Sequence, residues 1–252
     1  MTPAFRSGLV ALTGRPNVGK STLANALARS RVAAVSPRPQ PTRRRITAVV
    51  HGGDDRQAVL LDQPGLQRLR ASGRPTIMVL NKIDGLDRDA VARAIVRASE
   101  LVDFVALHPV SALDGTGIDA LRDDLPQLLG EGPRYFPKGA ASDQTEEELA
   151  GEMVREAALV RLRQEIPHAL AVSVEEIEPA RTGLVVRASV IVETESQKGI
   201  VVGKGGAMIR AIGTAAREAL GHVWGTEVHL DLTVKVRRRW REDESMLERL
   251  GL

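Results

Sequence analysis

The chain has 252 residues, 35 Lys and Arg against 32 Asp and Glu, a net charge of +3 and no cysteine. Disulfides and thiolate metal sites are thereby excluded, and no run of 18 apolar residues is present to span a bilayer. Apolar residues make up 43% but aromatics only 2%, so the length suits two small domains or one large one, with a core built from Val, Leu, Ile and Ala.

The polar lead MTPAFRS runs into GLVALT (8–13), which reads as a buried strand and not as a signal peptide. Gly14-Arg15-Pro16-Asn17-Val18-Gly19-Lys20-Ser21 follows, and a helix over 19–30 starts on its last turn. The eight residues fit G-x-x-x-x-G-K-[ST] in the context it needs, strand before and helix after. Glycines let successive N–H groups turn inward around phosphate oxygens, and the helix adds its positive end. Lys20 is placed to reach the β- and γ-phosphates and Ser21 to bind Mg²⁺, with Thr22 next in the first helical turn. A glycine-rich turn without a ligand is the bland alternative, and the flanking elements disfavour it.

Residues 31–43 carry three prolines and no periodicity, so they read as loop. Thr42 lies in it as the candidate to close on Mg²⁺ and a γ-phosphate. Strands fit 44–51 and 56–62, joined by the turn His51-Gly-Gly-Asp-Asp55. The second ends on Asp62-Gln63-Pro64-Gly65. D-x-x-G is common by chance, but after a phosphate loop it supplies an Asp near the metal and a Gly whose N–H touches the γ-phosphate. The apolar strand 75–80 leads into Asn81-Lys82-Ile83-Asp84. A carboxylate accepts from both the ring N–H and the exocyclic amine of guanine, a pair adenine does not offer, so Asp84 argues for GTP over ATP; Asn81 and Lys82 brace its loop. A helix is expected over 88–101, a strand over 104–110, then Ser111-Ala112-Leu113, whose backbone can contact the guanine oxygen. A helix over 117–129 is kinked or shortened by Pro126. This alternation predicts an α/β fold with a largely parallel sheet.

The stretch 130–145 is rich in Gly, Pro and small residues and reads as a linker. Beyond it the pattern is helix 146–165, strands 169–178 and 184–194, helices near 196–202 and 206–220, strand 228–236 and a terminal helix 239–250. Between the two central helices stands Gly203-Lys204-Gly205-Gly206. A G-x-x-G loop allows close approach of a nucleic-acid backbone, and an adjacent apolar groove holds about four unstacked nucleotides. A lone G-x-x-G is weak, but the flanking Val201, Val202, Ala207, Ile209 and Ile212 and the α-β-β-α-α-β order give a type II KH domain of α+β class. Lys198, Val202, Gly203, Lys204, Gly205, Gly206, Ile209 and Arg210 are its candidate RNA contacts. Lys235, Arg237, Arg238, Arg239 and Arg241 add late basic charge.

These motifs, in this order, resemble the Era family of bacterial ribosome-assembly GTPases, and the likeness covers nearly the whole chain. RYFPKGAASDQT is similar to that family's interdomain segment and VHLDLTVKVRRRW to its last strand. The resemblance implies a G domain over 1–130, a linker over 131–145 and a KH domain over 146–252. It also implies binding and hydrolysis of GTP, Mg²⁺ held by Ser21, Thr42 and Asp62, and catalysis resting on Asn17, Lys20, Thr42 and Gly65. Leu66 stands where Ras-like proteins keep a water-orienting Gln, and the family answers with K⁺ held partly by Asn17. The implied partners are 16S ribosomal RNA near its 3′ end and the small ribosomal subunit, in a cytoplasmic monomer. A weak peripheral membrane contact through the basic segment 237–250 is a further expectation.

One stretch departs from that pattern. Only fifteen residues separate Gly65 from Asn81, and six of them are the strand 75–80. A helix, a central strand and another helix with their loops need about 35–45 residues more. LQRLRASGR reads as two ends joined near Arg70–Ala71, with residues left out between them; the rival is a true deletion, which removes a central strand and its covering helix. Such a loss is the sole support for an alternative function, an RNA-binding module with a degenerate, non-hydrolysing G domain. Lys20, Ser21, Thr42, Asp62 and Asp84 argue against it. Gln63 replaces the family's usual Thr.

Overall fold

In a computed structural model, residues 4–33, 35, 47–62, 74–99, 104–162 and 170–250 are described. Thr42, Gln63, Pro64, Gly65 and the join at Arg70–Ala71 lie outside them. The chain divides into two compact units, 1–33 with 45–143, and 34–44 with 144–252.

Unit 1 contains β1 (Arg6–Leu12), α1 (Lys20–Ala28), β2 (Thr47–His51), β3 (Arg56–Asp62), β4 (Ile77–Asn81), α2 (Arg88–Ser99), β5 (Ala106–Val110) and α3 (Ile118–Asp124), which tightens into a 3₁₀ turn at Leu125–Leu128 around Pro126. β3 runs parallel to β1 and antiparallel to β2, and β4 runs parallel to β5. Leu23 and Leu27 of α1 pack with Val50, Leu60, Val110 and Leu121 in one core, against which Val10, Ile77 and Val79 also rest. The α/β class is therefore as the alternation predicts, with one break. The order β1-β3-β2 forms one sheet and β4-β5 another. Among the described residues no strand joins β1 to β4, where the short interval between Gly65 and Asn81 predicts a missing one. Leu9 of β1 is 60% exposed.

The stretch expected as a linker is fastened to unit 1 instead. Gly132 N–H donates to the Phe5 carbonyl at 3.0 Å and Val49 N–H to that of Ala141 at 2.8 Å. Ser7 Oγ donates to the Pro133 carbonyl at 2.6 Å. Gln57 is wholly buried on β3; its Oε1 accepts from the N–H of Tyr135 and of Phe136, both at 3.0 Å, and its Nε2 donates to the Phe136 carbonyl. Glycine and proline here prevent regular structure without preventing docking. The segment is docked because a buried amide must find partners, and residues 135–136 supply them.

Unit 2 contains α4 (Glu146–Arg161), β6 (Ala171–Pro179), β7 (Leu184–Val192), α5 (Glu195–Val202), α6 (Ala207–Trp224), β8 (Val228–Val236) and α7 (Glu244–Leu250). Reciprocal caps start two helices: Thr145 with Glu148 on α4 and Thr194 with Gln197 on α5. The sheet order is β6-β7-β8, antiparallel then parallel, the parallel pair being bridged by α5 and α6. Val154, Val190, Val192, Ile212 and Ala216 form the core between helices and sheet. On the opposite face Trp240 packs with Ala171, Ile191, Met246 and Leu247. The terminal segment thus spends its apolar residues closing the sheet. Among the described residues no helix is long and apolar enough to cross a membrane.

Candidate functional site

The first site lies where parallel strands end. β1 runs out into the glycine loop, and its last residue, Leu12, is paired with Asp62 of β3. That register sets the Asp62 backbone alongside the start of the loop. Asn17 turns the loop with φ 61° and Gly19 with φ 91°, and Gly19 caps α1. A Cβ on Gly19 would collide with the Asn81 amide, so only glycine lets the two loops meet. Lys20 Nζ donates to the carbonyls of Gly14 at 3.1 Å and Arg15 at 3.2 Å. Its ammonium is thus held against the backbone of the loop's first two residues. Ser21 and Thr22 follow in the first turn of α1.

The second half of the site comes from the ends of β4 and β5. Asn81 Nδ2 donates to the Val18 carbonyl at 2.9 Å, and its Oδ1 accepts from the N–H of Lys82 at 2.8 Å and of Ala112 at 3.0 Å. Lys82, itself at φ 70°, donates from Nζ to the Asn17 carbonyl at 2.8 Å. One side chain from each residue therefore ties the base loop to the phosphate loop. Ser111 is fully buried and its Oγ donates to Asp84 Oδ1 at 2.7 Å. That bond occupies one carboxylate oxygen and orients the exposed carboxylate. Asp114 accepts from Thr116 N–H at 2.9 Å, which holds its carboxyl below the usual carboxylate range. Leu113 is 80% exposed beside it, an apolar edge for a flat ring. The arrangement brings together Gly14–Thr22, Asn81–Asp84 and Ser111–Leu113.

In unit 2 the loop between α5 and α6 has three left-handed glycines: Gly203 at φ 74°, Gly205 at φ 59° and Gly206 at φ 78°. Their roles differ. A Cβ on Gly203 would lie 2.8 Å from Met208 N, whereas one on Gly205 would meet nothing within 4 Å. Gly203 shapes the turn and Gly205 leaves open space over it. Lys204 and Arg210 are exposed, and Arg210 Nη2 donates to the Gly205 carbonyl at 3.4 Å. Val202 and Ile209 are half-buried, while Val201 and Ile212 are fully buried in the core, so the latter two cannot line a groove. Ile200 is 46% exposed next to Lys198. Sequence reasoning passed it over, although burial of Val201 on a helix turns its neighbour outward. The sheet's outer face is charge-compensated: Lys235 pairs with Glu175 at 2.5 Å, and Arg187 lies between Glu176 and Glu178. Those two carboxylates, Glu178 foremost, raise the Arg187 guanidinium above its ordinary range.

A phosphate loop wired to an N-K-x-D loop, followed by a separate unit with a G-x-x-G turn, defines a guanine-nucleotide-binding P-loop protein with a KH domain. Residues 9–133 match the family described as 50S ribosome-binding GTPase, and residues 165–241 match the KH domain. GTPase Era of Mycobacterium avium is 42% identical over 296 residues, covering 98% of this chain and 99% of that one; the Mycobacterium tuberculosis protein is 41% identical over 297. The chain belongs to the Era family of GTPases. Among solved structures, a crystal structure of Era with MgGDPNP and nucleotides 1506–1542 of 16S ribosomal RNA has a TM-score of 0.85 at 29% identity, covering 98% of this chain and 99% of its own. An Aquifex aeolicus Era variant bound to GDP and aluminium fluoride has a TM-score of 0.86 at the same identity. The M. avium match runs over 296 positions, 44 more than this chain has residues. That excess is close to the roughly 35–45 residues by which the interval between Gly65 and Asn81 falls short of a helix, a strand and another helix.

Proposed function

We propose that this GTPase is a nucleotide-driven switch that binds 16S ribosomal RNA near its 3′ end and assists assembly of the small ribosomal subunit. The observation that carries the reading is the direct wiring of base loop to phosphate loop, Asn81 to Val18 and Lys82 to Asn17, in one chain with an open G-x-x-G turn. In the roles assigned here, Gly14–Thr22 cradle the phosphates and Lys20 exchanges two loop carbonyls for phosphate oxygens. Asp84, aligned by Ser111, selects guanine, with Ala112 and Leu113 bordering the ring. Ser21, Thr42 and Asp62 form an all-oxygen set that suits Mg²⁺, which when bound neutralises phosphate charge. Thr42 and Gly65 report the γ-phosphate, beside Gln63 and Pro64. Asn17 offers an oxygen to K⁺, the cation that stands in for the side chain lacking at Leu66.

RNA contacts are assigned to Lys198, Gly203–Gly206 and Arg210 for the backbone and to Ile200, Val202 and Ile209 for unstacked bases. The nucleotide role belongs to 1–130 and the RNA role to 146–252, in a cytoplasmic monomer. The test is Asp84→Asn. An amide at 84 no longer accepts from both guanine donors but pairs with xanthine, so selectivity moves from GTP toward XTP in a competition assay. Unchanged GTP preference would remove Asp84 from the base site.

A further inference from the structure

The missing rung of unit 1 gives the nucleotide a second task. Among the described residues no strand pairs with β1 on the side away from β3, where Ser7 N–H donates to the Gly130 carbonyl at 3.1 Å, and none pairs with β4 on the side away from β5. One face bridges the two sheets: Arg122 Nε donates to the Leu27 carbonyl at 2.7 Å, and Arg29 pairs with Asp119 at 2.8 Å in an exposed contact. Leu9, Val96 and Val105 are each more than half exposed. Among the described residues no backbone ladder connects the halves, which share the apolar core of Leu23, Leu27, Leu60 and Val110. At the strand ends, the connection is two side-chain hydrogen bonds, from Asn81 and Lys82.

The site straddles the same division. The phosphate loop, Gly14–Ser21, hangs on the β1 half. Asn81–Asp84 and Ser111–Leu113 hang on the β4-β5 half. We infer that a bound guanine nucleotide is a structural cross-brace of this domain, joining two half-sheets that share no strand among the described residues, so that the β4-β5 half opens separately when the nucleotide leaves. A ligand that needs both halves closed suppresses opening in proportion to its excess over Kd. The inference rests on the nucleotide reading above. It differs from ordinary ligand stabilisation in where the effect falls: on β4 and β5 before β1 and β3.

Amide hydrogen exchange of the full chain, at a confirmed intact mass of 27.2 kDa, tests it. Without nucleotide, amides of Ile77–Asn81 and Ala106–Val110 should exchange at least tenfold faster than those of β1 and β3. Added GDP with Mg²⁺ should slow them tenfold for each tenfold rise above Kd, until the two halves match. Arg122→Met, remote from both loops, should speed β4-β5 exchange about three- to tenfold without nucleotide, the equivalent of one hydrogen bond. Equal exchange of both halves in nucleotide-free protein overturns the proposal. So does a β4-β5 half indifferent to GDP while a fluorescent GDP analogue binds. If the analogue does not bind, the nucleotide reading itself fails and takes the brace with it. A mass several kilodaltons higher also overturns it, because the central strand would then be present.

Discussion

Replacing Gly203 and Gly205 by alanine, one at a time, separates two jobs that the motif G-x-x-G merges. Gly203 has φ 74° and ψ 171°, a region that L residues essentially never occupy, so holding alanine there costs about 1–3 kcal/mol of strain. Its new Cβ would also lie 2.7 Å from Met208 Cβ and 2.8 Å from Met208 N. The start of α6 must then shift, for about 1–3 kcal/mol more, as in an overpacked core. Gly205, at φ 59° and ψ 25° with open space around it, faces only the left-handed penalty of about 1–2 kcal/mol. One kcal/mol moves Tm by about 4–8 °C in a domain near 100 residues. Gly203→Ala should therefore lower the unit 2 midpoint by more than about 10 °C, and Gly205→Ala by about half that or less. Both tryptophans of the chain, Trp224 and Trp240, lie in unit 2, so their fluorescence follows that unit alone. Gly205→Asp, which adds negative charge where a phosphate would approach, should abolish RNA binding at a temperature where the fold is intact and GTP binding is unchanged. Equal midpoints for the two alanine variants would refute the backbone argument. Undiminished RNA affinity in Gly205→Asp would refute the turn as the RNA contact.

Gln57→Leu leaves three backbone groups of residues 135–136 without their partner, at about 2–4 kcal/mol. Trypsin should then cut after Arg134 and Lys138 at least tenfold faster, and an unchanged rate would mean that Gln57 does not fasten the strap. GTP turnover should rise in K⁺ over Na⁺ at equal ionic strength; equal rates in the two salts would remove Asn17 from cation binding. Trp240→Ala empties a position that is 1% exposed and should destabilise unit 2 by about 3–5 kcal/mol, read from Trp224 fluorescence in urea. A loss under 1 kcal/mol would mean that the terminal segment does not close the sheet.

The two loops were legible in the sequence because their chemistry demands residue types at fixed intervals. Phosphate needs inward N–H groups and a lysine; guanine needs a carboxylate at the end of a strand. The wiring between them was only half legible. That Asn81 and Lys82 brace the base loop follows from their place beside Asp84, but that they do so by reaching Val18 and Asn17 requires the strand order, which local pattern does not carry. The broken sheet was legible by counting alone, since fifteen residues cannot hold three elements. Thr42 and Gly65, in contrast, fall outside the described residues, and their part in the site stands on motif order alone.

The strap over 130–143 shows why composition misleads in one direction. Glycine and proline report that a segment forms no helix or ladder; they do not report whether its backbone is bonded elsewhere. The information lay in β3. From Gln57 to Leu61 every residue is buried, as in a strand covered on both faces, and one of the five is an amide. Burying an amide without partners costs about 2–7 kcal/mol, so its presence in such a run requires backbone donors and acceptors from another segment. The loop-like stretch rich in unpaired N–H and C=O groups was the available source. A polar residue inside an apolar strand and an irregular segment elsewhere in the chain are thus one signal, and here they meet at Gln57 and Phe136.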